Sequence, residues 1–356
     1  MKIRAIDTLE FGIEVDDYIK KFEDLLIELA KLKKESQDTN QNQLIRINGV
    51  NFDVAKSGAP FYTYRLECKD FFLYFQEKPM KNNPPIRVKL LSSFLWSYGY
   101  KEAYSYFIKW INEFNISFNG TKISRVDICL DTDEFTFKEK DIKQFITRAK
   151  HKNIHYADDI YFNGKIFSGF TIGKGKPLLV RIYDKYLEIN NSQKLWFKEI
   201  WKLNNWNKDK AVWRVEFQLR RSLLKEFKIN SVEDLLINED QIWAYLTKKW
   251  IMLKELNDTN ISRCKIDKRW EKIQNYNNKT DIHPIIRKKI KEGNVIGLLD
   301  QSSGLAISLG AIYNHKDLDE TFNAIKIYTK IKLQKKETSF QEEKEKRKLK
   351  YLSIDY

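Results

Sequence analysis

The chain has 356 residues, 42% of them hydrophobic, which excludes an intrinsically disordered polypeptide and allows one large or two modest cores. Lys and Arg number 64 against 49 Asp and Glu, a formal charge of +15, so part of the surface attracts polyanions, with nucleic acid the first candidate. No apolar run approaches the ~20 residues of a membrane span, residues 1–5 lack a signal-peptide core, and Cys68, Cys129 and Cys264 form no C-x-x-C pair, so a soluble protein of the reducing cytoplasm is expected.

Val15, Tyr18, Ile19, Phe22, Leu25, Leu26, Leu29 and Leu32 recur at three and four, predicting an amphipathic helix followed by a polar linker over 35–43. Asn48-Gly49 between Leu44–Ile47 and Val50–Val54 predicts a hairpin. Alternation predicts strands over Tyr62–Cys68 and Ile86–Leu90, and Ala103, Phe107, Trp110, Ile111 and Phe114 share one face of a predicted helix. A strand over Ser124–Leu130, a helix over Lys138–Lys150, a hairpin over Lys165–Lys185 turning at 173–177, and a strand over Ala211–Arg220 follow. Beyond Ser231 the spacing of Trp243, Leu246, Trp250 and Leu253 is helical, and the stretch from Lys332 to Lys350 is a charged helix or frayed tail.

The expected organisation is an N-terminal helical segment and linker (1–43), a central α+β domain with an antiparallel sheet and helices on one face (44–230), a mostly helical region (231–340) and a charged tail (341–356).

Alternate residues of a strand point to opposite sides of its sheet. Arg125, Asp127, Cys129 and Asp131 therefore share one side of their strand, Arg181, Tyr183 and Lys185 one side of theirs, and Arg214, Glu216, Gln218 and Arg220 one side of a third. Merged in one sheet, these sides collect carboxylates, a phenol and several cations. Asp127, Asp131 and Glu216 offer oxygen ligands of the kind that hold Mg²⁺ or Mn²⁺. Tyr183 offers a nucleophile, with Arg181, Lys185 and Arg214 placed for phosphate oxygens and Tyr186 as its nearest rival. The same parity also describes a plain antiparallel sheet whose wet side carries surface ion pairs.

Arg125-Val-Asp127-Ile-Cys-Leu-Asp131, Arg181-Ile-Tyr183-Asp-Lys185 and Trp213-Arg-Val-Glu216, in this order over about residues 122–223, resemble the motifs of the Rep_trans family. That family comprises rolling-circle plasmid initiators and the relaxases of integrative conjugative elements. The resemblance implies a sheet like that of HUH endonucleases without their histidine pair, and indeed His151, His155, His283 and His315 contain no H-x-H. It further implies that Tyr183 attacks DNA to form a 5′-phosphotyrosine, that Asp127, Asp131 and Glu216 ligate a divalent metal, and that Lys185 and Arg181 assist. Arg125, Arg214, Arg220, Lys174 and Lys176 are then expected on DNA phosphates. Origin DNA is the expected partner, with a homodimer and a host helicase as further candidates. A relaxase and a non-catalytic DNA-binding regulator are the alternative functions.

Overall fold

A computed structural model describes residues 1–114, 118–159, 164–208, 210–261, 263–276 and 286–351. The chain opens on strand β1 (Lys2–Ile13) and helix α1 (Tyr18–Asp38), then runs through β2 (Gln43–Ile47), β3 (Val50–Val54), β4 (Tyr64–Glu67), β5 (Phe71–Phe75) and β6 (Ile86–Leu90) to α2 (Ser92–Tyr98) and α3 (Tyr100–Asn112). Strands β7 (Thr121–Thr132), β8 (Phe145–Thr147), β9 (Lys152–Asp159), β10 (Gly164–Gly173) and β11 (Leu178–Asp184) follow, then α4 (Lys185–Ser192), α5 (Phe197–Leu203) and β12 (Trp213–Arg220). Helices α6 (Arg221–Glu226) and α7 (Val232–Tyr245), the short strand β13 (Ile251–Leu253), α8 (Lys268–Gln274), α9 (Ile286–Tyr313), α10 (Leu318–Lys335) and α11 (Phe340–Tyr351) complete the order.

The fold is α+β, with a large antiparallel sheet in the order β2-β3-β4-β5-β6-β1-β7-β12-β11-β10-β9 and a small two-stranded one of β13 and β8. The predicted hairpin forms β2 and β3, and its turn residues Asn48 and Gly49 both take positive φ, as a two-residue turn matched to strand twist requires. One side of the sheet carries the main core, in which Val126, Ile128 and Leu130 of β7 and Val180 and Ile182 of β11 meet apolar residues of α1, α3 and α7. A second cluster lies on the other side: Ile3, Ala5 and Cys129 pack under Trp96 of α2 and Phe197, Ile200 and Trp201 of α5. Helices thus cover one side broadly and part of the other.

Three predicted elements are corrected. Residues 2–13, read as part of a helical segment and linker, form β1 at the centre of the sheet, paired to β6 and β7. A register shift between Ile6 and Thr8 places Asp7 in a bulge, which interrupts the alternation that marks a strand. The helix predicted over Lys138–Lys150 is instead a short 3-10 turn over Glu139–Lys143 followed by β8. There Asp141 accepts from the Lys138 amide and pairs with Arg269, while Phe145 is buried in the core, so tertiary contacts override local propensity. Finally, β11 stops at Asp184, whose carboxylate accepts from the Leu187 amide and caps α4, so Lys185 begins a helix and does not continue the strand. Among the described residues no helix is long and apolar enough to cross a membrane.

Candidate active site

Pairing across the sheet sets the site. Glu216 of β12 stands opposite Arg181 of β11, and Tyr183 opposite Arg214, so the three predicted strands do merge their polar sides. They surround a cavity of about 590 Å³ whose lining includes Asp7, Asp127, Arg181, Tyr183, Lys185 and Glu216. The Tyr183 hydroxyl donates to Glu216 Oε2 at 3.0 Å. Arg181 Nη2 donates to the other oxygen of Glu216 and lies 3.7 Å from Asp127 Oδ2, tying the two acids together. Arg125 holds Asp127 through both its oxygens, with Nε to Oδ1 at 2.8 Å, and reaches Glu10 Oε1 at 3.3 Å.

Charges within this cluster shift one another. Burial, reinforced by the charge of Glu216, pushes the Tyr183 phenol well above its usual range, so its proton leaves only toward a base already in contact. Burial and the Glu216 charge also push the Asp127 carboxyl up to about 6 despite the Arg125 bond. Burial and the neighbouring Arg214 lower the Lys185 ammonium, which pairs with Glu188 and sits 5.6 Å from the centre of the Tyr183 ring.

Asp131 does not join this group. It is fully buried, accepts from Arg214 Nε at 2.6 Å and Nη2 at 2.9 Å, and takes a third bond from Trp201 Nε1 at 2.9 Å. Its lone pairs are spent on a structural network, because α5 covers that end of the face. The expected Asp127, Asp131 and Glu216 metal site therefore does not fit: the third acid belongs to Arg214, the other two share Arg181, and among the described residues no group of three His, Cys, Asp or Glu is placed to hold a metal.

Arg214 is likewise removed from the expected phosphate contacts. Its guanidinium is fully buried, 4.7 Å from the Phe197 ring and 5.1 Å from the Trp96 ring, with Nη1 donating to Asp7 Oδ1 at 2.8 Å. Arg125 is committed to Asp127 and Glu10. Arg220 ends β12 beside the hairpin turn, its amide donating to Pro177, and Lys174 and Lys176 stand exposed on that turn. Tyr186 packs 5.7 Å from Trp206 in the second cluster and does not line the cavity. His283 lies outside the described residues.

Asp7 was not anticipated. The β1 bulge turns its carboxylate onto Arg214, Ser92 Oγ at 2.8 Å and Trp96 Nε1 at 3.0 Å, at the wall of the cavity. Burial would raise its pKa, but the nearby Arg214 and Lys185 outweigh it and hold the group well below the usual carboxylate range. Its signal in the sequence is an acid between apolar residues, Ile6-Asp7-Thr8-Leu9, where a continuous strand would place a second apolar side chain or a turn.

No family model matches the chain, and no curated protein matches it. Among solved structures, it is similar to a rolling circle replication initiator protein from Geobacillus stearothermophilus, with 17% identity and a TM-score of 0.46 over 77% of this chain and 96% of that one.

Proposed function

We propose that this protein nicks one strand of DNA through Tyr183 and stays joined to the new 5′ end, as an initiator of rolling-circle replication does. The observation that carries the reading is the 3.0 Å bond from the Tyr183 hydroxyl to Glu216 inside a cavity that Arg181 and Lys185 also line. A phenol is a weak nucleophile at neutral pH, and a carboxylate in direct contact gives its proton somewhere to go. The phenol oxygen attacks phosphorus, the bond from phosphorus to the 3′ oxygen breaks, and Glu216 takes the phenol proton. Arg181, with its side chain 37% exposed, turns from Glu216 toward the phosphate as charge builds there. Of the expected ligands for Mg²⁺ or Mn²⁺ only Asp127 and Glu216 reach the cavity, and these steps run on the chain's own groups.

The test is a nicking reaction on circular DNA carrying the replicon's own origin, with and without Mg²⁺ or Mn²⁺, followed by denaturing electrophoresis to detect protein joined to DNA. Wild type should give an open circle with protein at the 5′ end. Tyr183→Phe should give none, while losing only about 1 kcal/mol of stability with the single hydrogen bond. Adduct in the Tyr183→Phe protein, or no nicking by wild type under either condition, would reject the reading.

A further inference from the structure

The far wall of the same cavity holds a group that nothing in the proposed attack uses. His155 of β9 and Tyr183 of β11 are both paired to one residue of the strand between them, Gly169 of β10. Residues paired this way project to the same side of the sheet, so phenol and imidazole flank a position that has no side chain. They stand two strand spacings apart, about 10 Å between backbones. Both line the cavity.

Gly169 keeps that gap open for a physical reason. Its φ is +151°, and a Cβ built there would lie 2.3 Å from the Ile182 carbonyl oxygen and 2.7 Å from Tyr183 Cα and Cβ. A side chain would therefore collide with the strand that carries the nucleophile. On the opposite flank of Tyr183, toward β12, stands Glu216. The order across the sheet is thus carboxylate, phenol, gap, imidazole, with a base on one side of the nucleophile and a proton-bearing ring on the other.

His155 is oriented as well as placed. Its Nε2 lies 2.7 Å from the hydroxyl of Thr171, a residue of β10 on the same side of the sheet as Gly169. The other cations of the cavity are less suited to the role. Arg181 cannot release a proton at working pH, and the Lys185 ammonium is held in an ion pair by Glu188. Imidazole carries and releases a proton near neutrality, and the Asp127 carboxyl, the other such group at this cavity, is held through both oxygens by Arg125.

The geometry points to His155 as the general acid that protonates the departing 3′ oxygen in this nicking reaction, an inference that rests on the function proposed above. In the forward step the phenol oxygen bonds to phosphorus and its proton passes to Glu216. The bond from phosphorus to the 3′ oxygen breaks, and that oxygen takes a proton from the imidazolium, leaving neutral His155. In the reverse, rejoining step His155 removes the proton from the 3′ hydroxyl and Glu216 returns one to the phenol. Thr171 is a positioning residue, holding the imidazole on this side of the sheet through Nε2.

The test compares two single-stranded oligonucleotides spanning the mapped nick site, one natural and one with bridging sulfur in place of the scissile 3′ oxygen. A thiolate leaves without protonation, so only the natural substrate needs the acid. With the full-length protein, His155→Ala and His155→Gln should each form adduct about 100-fold or more slowly than wild type on the natural substrate, and at the wild-type rate on the sulfur substrate. Added imidazole should restore part of the loss in His155→Ala. Equal slowing on both substrates would make the role structural and overturn the assignment, as would a variant as fast as wild type on the natural one. Absence of adduct from wild type on either substrate would instead reject the tyrosine reading itself.

Discussion

The polar side of β7, β11 and β12 carries the same residue types along its length, yet its two ends differ in what lies over them. At the Asp131 end, α2 and α5 close over the strands, the Asp131 carboxylate is taken up by Arg214 and Trp201, and the remaining Arg214 nitrogen, Nη1, is held by Asp7. At the Asp127 end, Asp127, Glu216, Arg181 and Tyr183 face a cavity that Leu187, Glu188 and Asn191 of α4 line without filling. An ion pair under cover is architecture, because its atoms cannot meet a substrate. The same pair at a cavity wall can exchange its partner for a phosphate.

Exchanging one arginine at each end should separate stability from activity. Arg214→Ala leaves Asp131 buried without its guanidinium and should cost about 3–5 kcal/mol, read as a lowered denaturation midpoint. Arg181→Ala should change that midpoint by no more than about 1 kcal/mol while slowing nicking about 100-fold. Similar losses of stability in the two variants would erase the distinction between the ends.

The acids should differ in their response to pH. Asp127 is pushed up to about 6, above the ~3.9 of an unfolded aspartate, so the fold prefers its protonated form. The stability this brings is present below about pH 4 and is lost as pH rises through about 6, a change of up to about 3 kcal/mol. Chemical denaturation across that range should show wild type losing stability relative to Asp127→Asn. Parallel curves would place the carboxyl in a more polar setting than the cavity wall described above.

A smaller effect is expected at the gap. Gly169→Ala puts a Cβ against the Ile182 carbonyl oxygen at a positive φ and should destabilise by about 2 kcal/mol, with nicking reduced further than the melt alone explains. The smallest belongs to the hairpin turn, where Lys174→Ala and Lys176→Ala should each shift stability by less than about 0.5 kcal/mol. If the turn meets DNA, each should lower the salt dependence of binding by about one counterion, measured by titration at several salt concentrations; an unchanged slope would take the turn out of the interface.

Local pattern identified the strands that build the site. The two-residue alternation of β7, β11 and β12 places Asp127, Arg181, Tyr183 and Glu216 on one side, and the structure has them there. Asn48-Gly49 likewise announces its hairpin through turn chemistry alone. Local pattern failed where a strand is irregular, as at Asp7 in the β1 bulge, and where a cap ends it early, as at Asp184 before Lys185.

Parity says which side of a sheet a residue faces and nothing about what covers that side. Cover is supplied by residues far along the chain: Trp201 reaches Asp131 across 70 positions, and Asp7 reaches Arg214 across 207. The consecutive pairing of β9, β10 and β11 brings His155 to the same side of the sheet as Tyr183, with Gly169 between them. The residue types and their facing were therefore written in the chain, whereas the division into a sealed end and an open one came only with the packing of distant helices, because desolvation depends on neighbours in space and not on neighbours in sequence.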